Sequence, residues 1–313
     1  MQVGRILVML GLVCGAVAFA DPPTLEAQDP TVCRDTAANC EGFDRYRLVP
    51  NNSPAYQPQM IRPSGRPIVP VFEGWFQNPD SSYTLSFGYI SMNLEEGLFI
   101  PVGPDNFIEP AELNGQQPTY FQPIHPRIRR PWNIFMIRVP KDFGEQRVTW
   151  TLRNHGETYT TPGHITRRDY IVETPIAPAR AASANTGAYA PKMRFDPSAE
   201  WAWGLSGVHT TMSARVGQPL EIPVYVNAGE TLSQGAEESW LWWILYSGPT
   251  TVTFSESEVQ IPLTNREGVG RTQVTFSEPG EYVLLVNSIE TLRNSFEYHC
   301  CWTNGWVTVN VTN

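Results

Sequence analysis

Apolar and polar positions alternate with a period of two in short runs along most of the chain. Residues 83–89 place Tyr83, Leu85, Phe87 and Tyr89 on one face, as a strand with one buried side does. Residues 69–76, 99–102, 134–139 and 148–152 read as further strands, and Asn78-Pro79-Asp80-Ser81 as the turn after the first. In the second half, residues 211–216, 220–226, 240–246, 251–254, 272–276, 281–286 and 306–311 read as short strands. Gly217, Gly229, Gly248-Pro249 and Pro279-Gly280 mark the turns between them. The pattern predicts an all-β chain of two antiparallel β-sandwich domains.

Two runs are apolar on both faces. In residues 240–246, Trp240, Trp242, Ile244 and Tyr246 share one face, and Leu241, Trp243 and Leu245 the other. In residues 281–286, Tyr282, Leu284 and Val286 oppose Val283 and Leu285. A sheet of such strands needs cover on both sides. One side is the sandwich core. The other is open to the first domain, the N-terminal arm, a second molecule or a ligand. This reading makes Trp243 the aromatic available to stack a sugar or peptide.

The ends and joints of the domains follow from composition. Arg5, the apolar residues 6–17 and Ala18-Phe19-Ala20 have the form of a secretory signal peptide cleaved before Asp21. This implies a secreted or periplasmic protein, free to form disulfides. No later segment is apolar enough to span a membrane. Residues 21–64, rich in proline and without periodicity, read as an irregular N-terminal arm. The first sandwich covers 65–172, an Ala/Pro linker 173–200 and the second sandwich 201–313. Within the first, residues 103–133 read as one long loop, and long ordered loops are often functional.

Charge and chemistry narrow the function classes. The net charge of −9 disfavours nucleic acid and anionic lipid as partners. Charged residues are only 17 % of the chain, while Pro (28) and Gly (24) are frequent, which favours strands and tight turns over helices. No Gly-x-Ser-x-Gly, His-Glu-x-x-His or EF-hand pattern occurs. No catalytic residues and no cofactor can therefore be assigned, and the chain reads as a non-enzyme. The basic patch Arg127, Arg129 and Arg130, beside His125 and Trp132, is the candidate for holding a carboxylate or sulfate. His125, His155 and His164 could in principle converge on a metal, but nothing in their spacing fixes that.

After the leader, the cysteines are Cys33, Cys40, Cys300 and Cys301, disulfide candidates with three possible pairings. The local Cys33–Cys40 loop is slightly favoured because it closes cheaply. The alternative is a copper or zinc site built on His299, Cys300 and Cys301. In position that cluster resembles the ligand loop of blue-copper domains. Trp302-Thr303-Asn304-Gly305 supplies neither the histidine nor the methionine such a loop needs.

The run Glu278-Pro279-Gly280-Glu281-Tyr282-Val283-Leu284-Leu285-Val286 resembles the penultimate strand of bacterial immunoglobulin-like and polycystic-kidney-disease-type domains. The resemblance covers residues 205–313. It implies an immunoglobulin-like sandwich, a corner braced by the Tyr282 hydroxyl, and a core tryptophan on the third strand at Trp240 or Trp242. The first half, through Gly74-Trp75-Phe76, Asn78-Pro79-Asp80, Phe87-Gly88-Tyr89 and residues 139–144, resembles uncharacterised secreted bacterial proteins and brings no activity. The expectation is a non-catalytic binding or structural module of the cell envelope. Its partner would be a protein or a glycan, met through Trp243, Arg127, Arg129, Arg130 and Trp132.

Overall fold

The computed structural model describes residues 62–124, 131–172, 190–228, 238–289 and 302–313. The signal peptide, nearly all of the arm, much of the linker, His125, Arg127, Arg129, Arg130, Gly229, His299 and all of the cysteines lie outside the described residues. What is described is all β apart from two single-turn helices, Ala111–Leu113 and Arg168–Tyr170.

The first half carries β1 (Ile68–Gln77), β2 (Tyr83–Ser91), β3 (Leu98–Phe99), β4 (Asn106–Glu109), β5 (Tyr120–Phe121), β6 (Phe135–Val139), β7 (Val148–Asn154) and β8 (Glu157–Gly163). Sheet β1-β2-β6 faces sheet β4-β7-β8, and β3 pairs with β5. The alternation of 83–89 does its work here. Leu85, Phe87 and Tyr89 enter the core with Phe135 and Trp150. Phe135 and Trp150 meet edge to face at 4.9 Å, a favoured aromatic geometry.

The stretch 103–133 is not one loop. It contains β4, a helical turn and β5, pieces too short to show a period. Buried Asn106 organises them. Its Oδ1 accepts from Trp150 Nε1 at 3.0 Å. Its Nδ2 donates to the carbonyls of Ile100 (2.8 Å) and Pro118 (2.7 Å). Irregular backbone has no ladder partners, so a buried side chain must satisfy its carbonyls.

The second half carries β9 (Lys192–Arg194), β10 (Val208–Arg215), β11 (Leu220–Asn227), β12 (Glu238–Ser247), β13 (Val252–Phe254), β14 (Glu258–Pro262), β15 (Glu267–Phe276), β16 (Gly280–Ile289) and β17 (Trp302–Thr312). Sheet β10-β17-β16-β12-β14 packs on sheet β13-β15-β11-β9. Two strands of this half were not foreseen. β14 is brief and polar on alternate positions, and β9 sits inside the stretch expected to be linker. The sandwich is not wholly antiparallel, because β10 runs parallel to β17. The Tyr282 hydroxyl donates to the Glu278 carbonyl at 2.9 Å, the corner brace that the resemblance implies.

β12 and β16 are neighbours, and both faces of these two strands are covered within the chain. Leu241, Trp243 and Leu245 point into the sandwich with Tyr282, Leu284 and Val286. Trp242, Ile244, Tyr246 and Leu285 point the other way, into the core of the first half. Each buried side chain of this size contributes about 1.5–3 kcal/mol, so the seam is a core rather than a loose contact. Two expectations are corrected. Trp243, 2 % exposed, is the core tryptophan of the third strand, in place of Trp240 or Trp242. It is not an aromatic on a free outer face.

Candidate functional site

The edge of β12 is paired only in part. Glu238–Trp242 pairs with β14, and the Trp243 N–H donates to the Ser257 carbonyl at 2.8 Å. Beyond that point the adjoining segment, β13, belongs to the opposite sheet. The next backbone contact along the edge is the Thr119 N–H to the Tyr246 carbonyl at 3.1 Å. Between these two contacts lies a cleft of about 280 Å³. Trp242, Trp243, Ile244 and Leu245 line its floor. Tyr120, Gln122, Pro123 and Ile124 form one wall, and Thr251, Val252, Phe254 and Ser257 the other.

The local sequence explains this opening. Gly248-Pro249 turns the chain away at the end of β12. Residues 251–262 then cross from one sheet to the other, so among the described residues no strand pairs with the lower half of β12 on the side away from β16. The Phe254 ring sits 6.2 Å from that of Trp243. The Trp243 Nε1 is buried with no hydrogen-bond partner among the described residues. Tyr120 packs on Phe99 with the rings tilted and 4.7 Å apart, and burial raises its phenol above the ordinary range. Among the described residues that phenol is the only ionisable side chain lining the cleft. The cleft can hold an apolar or ring-shaped group and hydrogen-bond it through Gln122, Thr251 and Ser257. Among the described residues its lining holds no acid–base pair.

The structure places the sequence-derived candidates unevenly. Trp243 forms part of the cleft floor. Ile124, on the wall, immediately precedes the stretch that carries Arg127, Arg129 and Arg130. Trp132, after that stretch, is half-buried and packs with Phe76 and Met136 against Val172, Leu205, Ile289 and Trp302. Trp302 directly follows Cys301, so described residues next to the basic stretch and next to the cysteine pair share one small core. A buried amide network ties them further. Asn304 Nδ2 donates to the carbonyls of Asn133 (3.2 Å) and Leu205 (3.1 Å). Its Oδ1 accepts from Asn287 at 2.6 Å.

The two described histidines of the first half do not converge. His155 sits in the β7–β8 turn near Glu96, at 3.4 Å. His164 follows the far end of β8 and packs on Phe72 and Tyr170. Seven extended residues put about 20 Å between them. Among the described residues, no group of three His, Cys, Asp or Glu side chains could hold a metal. No described helix is long and apolar enough to cross a membrane.

One cluster escaped the sequence reading. Arg194 lies 4.1 Å over Trp201 and 6.0 Å from Tyr225. Lys192 lies 5.4 Å over Trp203. Trp203 is fixed by a bond from Nε1 to the Ala190 carbonyl at 2.7 Å. The signal was legible, since Lys192 and Arg194 are two apart on one face of β9, and Trp201 and Trp203 have the same spacing around Ala202, which bridges Met193. These cation–π stacks fasten residues 195–203 to the sheet edge.

No family model matches the chain, and no curated protein matches it. Among solved structures, the D00-D0 domain of intimin is 12 % identical, covering 79 % of this chain and 100 % of that one, with a TM-score of 0.25. The human CEP192 PapD-like domain 7 is 8 % identical over 41 % of this chain and 88 % of that one, TM-score 0.26. The CFA/I adhesin CfaE of enterotoxigenic E. coli, in a point-mutant form, is 8 % identical over 82 % and 83 %, TM-score 0.23. At these scores the fold is read from this chain's own strand pairings.

Proposed function

We propose that this chain is a non-catalytic binding or structural module of the cell envelope, carried out of the cytoplasm by residues 1–20. In this reading its partner, a glycan or a protein segment, sits in the cleft beside the lower half of β12. The observation that carries it is the cleft itself. It is an aromatic-floored opening where a sandwich strand loses one of its two neighbours, and among the described residues its lining has hydrogen-bonding side chains and no acid–base pair. The wall residue Ile124 leads straight into the three arginines, whose guanidinium forks suit a carboxylate or sulfate.

The test uses the chain from Asp21 onward, ¹⁵N-labelled. It is titrated with oligogalacturonate, a carboxylate-bearing sugar, beside neutral cello-oligosaccharide. The expected result is shifts at the Trp243 indole N–H and the amides of 251–257, stronger with the acidic sugar. Phe254→Ala should weaken that response about tenfold or more, as loss of a stacking wall does. Silence with both sugars removes the glycan. Retention of exported protein by washed cell envelopes is then compared for the wild type and Phe254→Ala. Equal retention removes the cleft as the binding site.

A further inference from the structure

The edges of the sheets differ in how they are protected. Exposed strand edges invite pairing with another chain, and proteins blunt them with prolines, bulges, charges or shortness. Among the described residues, β3, β5, β9 and β13 have two or three residues each, and β9 is bridged by Ala202. β1 has Pro70 and a bulge at Phe72/Gly74. β4 is four residues long and ends at Glu109-Pro110. β6 is short and carries Arg138. β8 carries Glu157 and Pro162, and β14 carries Glu258 and Pro262.

β10 has none of these devices along most of its length. Its eight residues, Val-His-Thr-Thr-Met-Ser-Ala-Arg, contain no proline and no fixed charge before Arg215. Its register with β17 is unbroken. Its inward side chains are only partly buried, with Val208, Met212 and Ala214 lying against the rim of the core. Its outward side chains, His209, Thr211, Ser213 and Arg215, are exposed, so the first half of the chain does not lie over this strand.

The free backbone groups can be assigned. Just past the strand, the Val216 N–H donates to the Thr312 carbonyl at 2.9 Å, continuing the ladder to β17. Successive residues of a strand aim their backbone groups to opposite sides. The even-numbered residues therefore bond to β17, and His209, Thr211 and Ser213 point both N–H and C=O off the edge. Among the described residues nothing accepts from or donates to them.

We propose that Val208–Arg215 is a self-association edge that pairs antiparallel with the same strand of a second copy, about a two-fold axis through Thr211. This register matches all three free residues. Thr211 opposes Thr211, and His209 opposes Ser213, with about six backbone hydrogen bonds between them. On the inner face Val208 opposes Ala214 and Thr210 opposes Met212, so each pair shares a side. The only fixed charge, Arg215, falls opposite Gly207, and no like charges meet. The pairing joins two five-stranded sheets into one, as an isologous contact requires. It uses neither the cleft nor the seam, so it stands apart from the proposed ligand site.

Sedimentation velocity of the chain from Asp21 onward, between about 1 and 100 µM, tests this. The expected result is a reversible dimer. Thr211→Pro removes an N–H that β17 does not use. It should raise the dimer Kd more than about thirtyfold, through two lost hydrogen bonds, while circular dichroism stays unchanged. Thr211→Lys sets two ammonium groups face to face and should also give monomer. If the proline variant unfolds, the lysine variant decides alone. A wild type that stays monomeric across the range overturns the proposal, whether the edge is bare or covered by another segment of the chain. A dimer that persists in folded Thr211 variants also overturns it.

Discussion

The second half of the described chain is built mainly from long aligned strands, whereas the first half sets very short strands beside its longer ones and ties them in through a buried amide. In the second sandwich the ladders satisfy the backbone, and the buried amides Asn287 and Asn304 sit opposite one another on β16 and β17, bonded on to the first half at Asn133. In the first half β3, β4 and β5 are two to four residues long. Asn106 there does what a missing ladder would do, bridging Ile100, Pro118 and Trp150. The two indoles show the same contrast. Trp150 hands its N–H to Asn106, while the Trp243 N–H has no partner among the described residues. A regular sheet can pair its own backbone without help from side chains. An irregular segment cannot.

The largest losses are expected at Trp243 and Asn106. Trp243→Ala should cost about 3–5 kcal/mol in urea unfolding, the range for a buried aromatic truncation. A loss under about 1 kcal/mol would mean that Trp243 does not face the sandwich core. Asn106→Ala strands an indole N–H and two carbonyls, and should cost about 3 kcal/mol. Hydrogen exchange should rise over residues 100–118 while β15–β17 stay protected. Uniform loss of protection would show that the first half has no separate organisation.

Smaller changes sharpen the picture. Tyr246→Phe removes the hydroxyl that donates to the Gln116 carbonyl across the seam. Tyr282→Phe removes the corner brace to Glu278. Each should cost about 1 kcal/mol, and equal costs would place seam and sandwich on the same footing. The smallest effect is one of pH. His209 stacks on Trp306 at 4.6 Å, and partial burial holds its pKa below the ordinary histidine value. The unfolded chain therefore takes up the proton first as pH falls. Stability should be full above the ordinary histidine pKa and decline slightly below it. Thermal melts from pH 7.5 to 5.5 should show a shallower decline in His209→Gln than in the wild type.

Much of the architecture was legible. The period-two runs located β1, β2, β6, β7, β10–β13 and β15–β17, and the turn before Tyr282 pointed to the corner that the hydroxyl braces. β9 and β14 were missed because three to five residues carry too little pattern to stand out from turns. β4 and β5 were hidden for the same reason, and their placement depends on Asn106, whose partners lie 6 to 44 residues away. Of the candidate site, Trp243 was named, but on the wrong side of its sheet. Phe254, Ser257 and Tyr120 were not singled out, since a cleft between segments more than a hundred residues apart leaves no local signal.

Period-two alternation alone makes the chain all β. It also determines which side chains travel together, with Leu241, Trp243 and Leu245 on one face of β12 and Trp242, Ile244 and Tyr246 on the other. Which of those faces is the sandwich interior and which is the seam with the first half is set by long-range packing. The reason is one of symmetry. Alternation marks the inside of a strand when one face is polar, but a strand apolar on both faces reads the same either way up. The choice then falls to what packs against each face, and those partners come from distant parts of the chain.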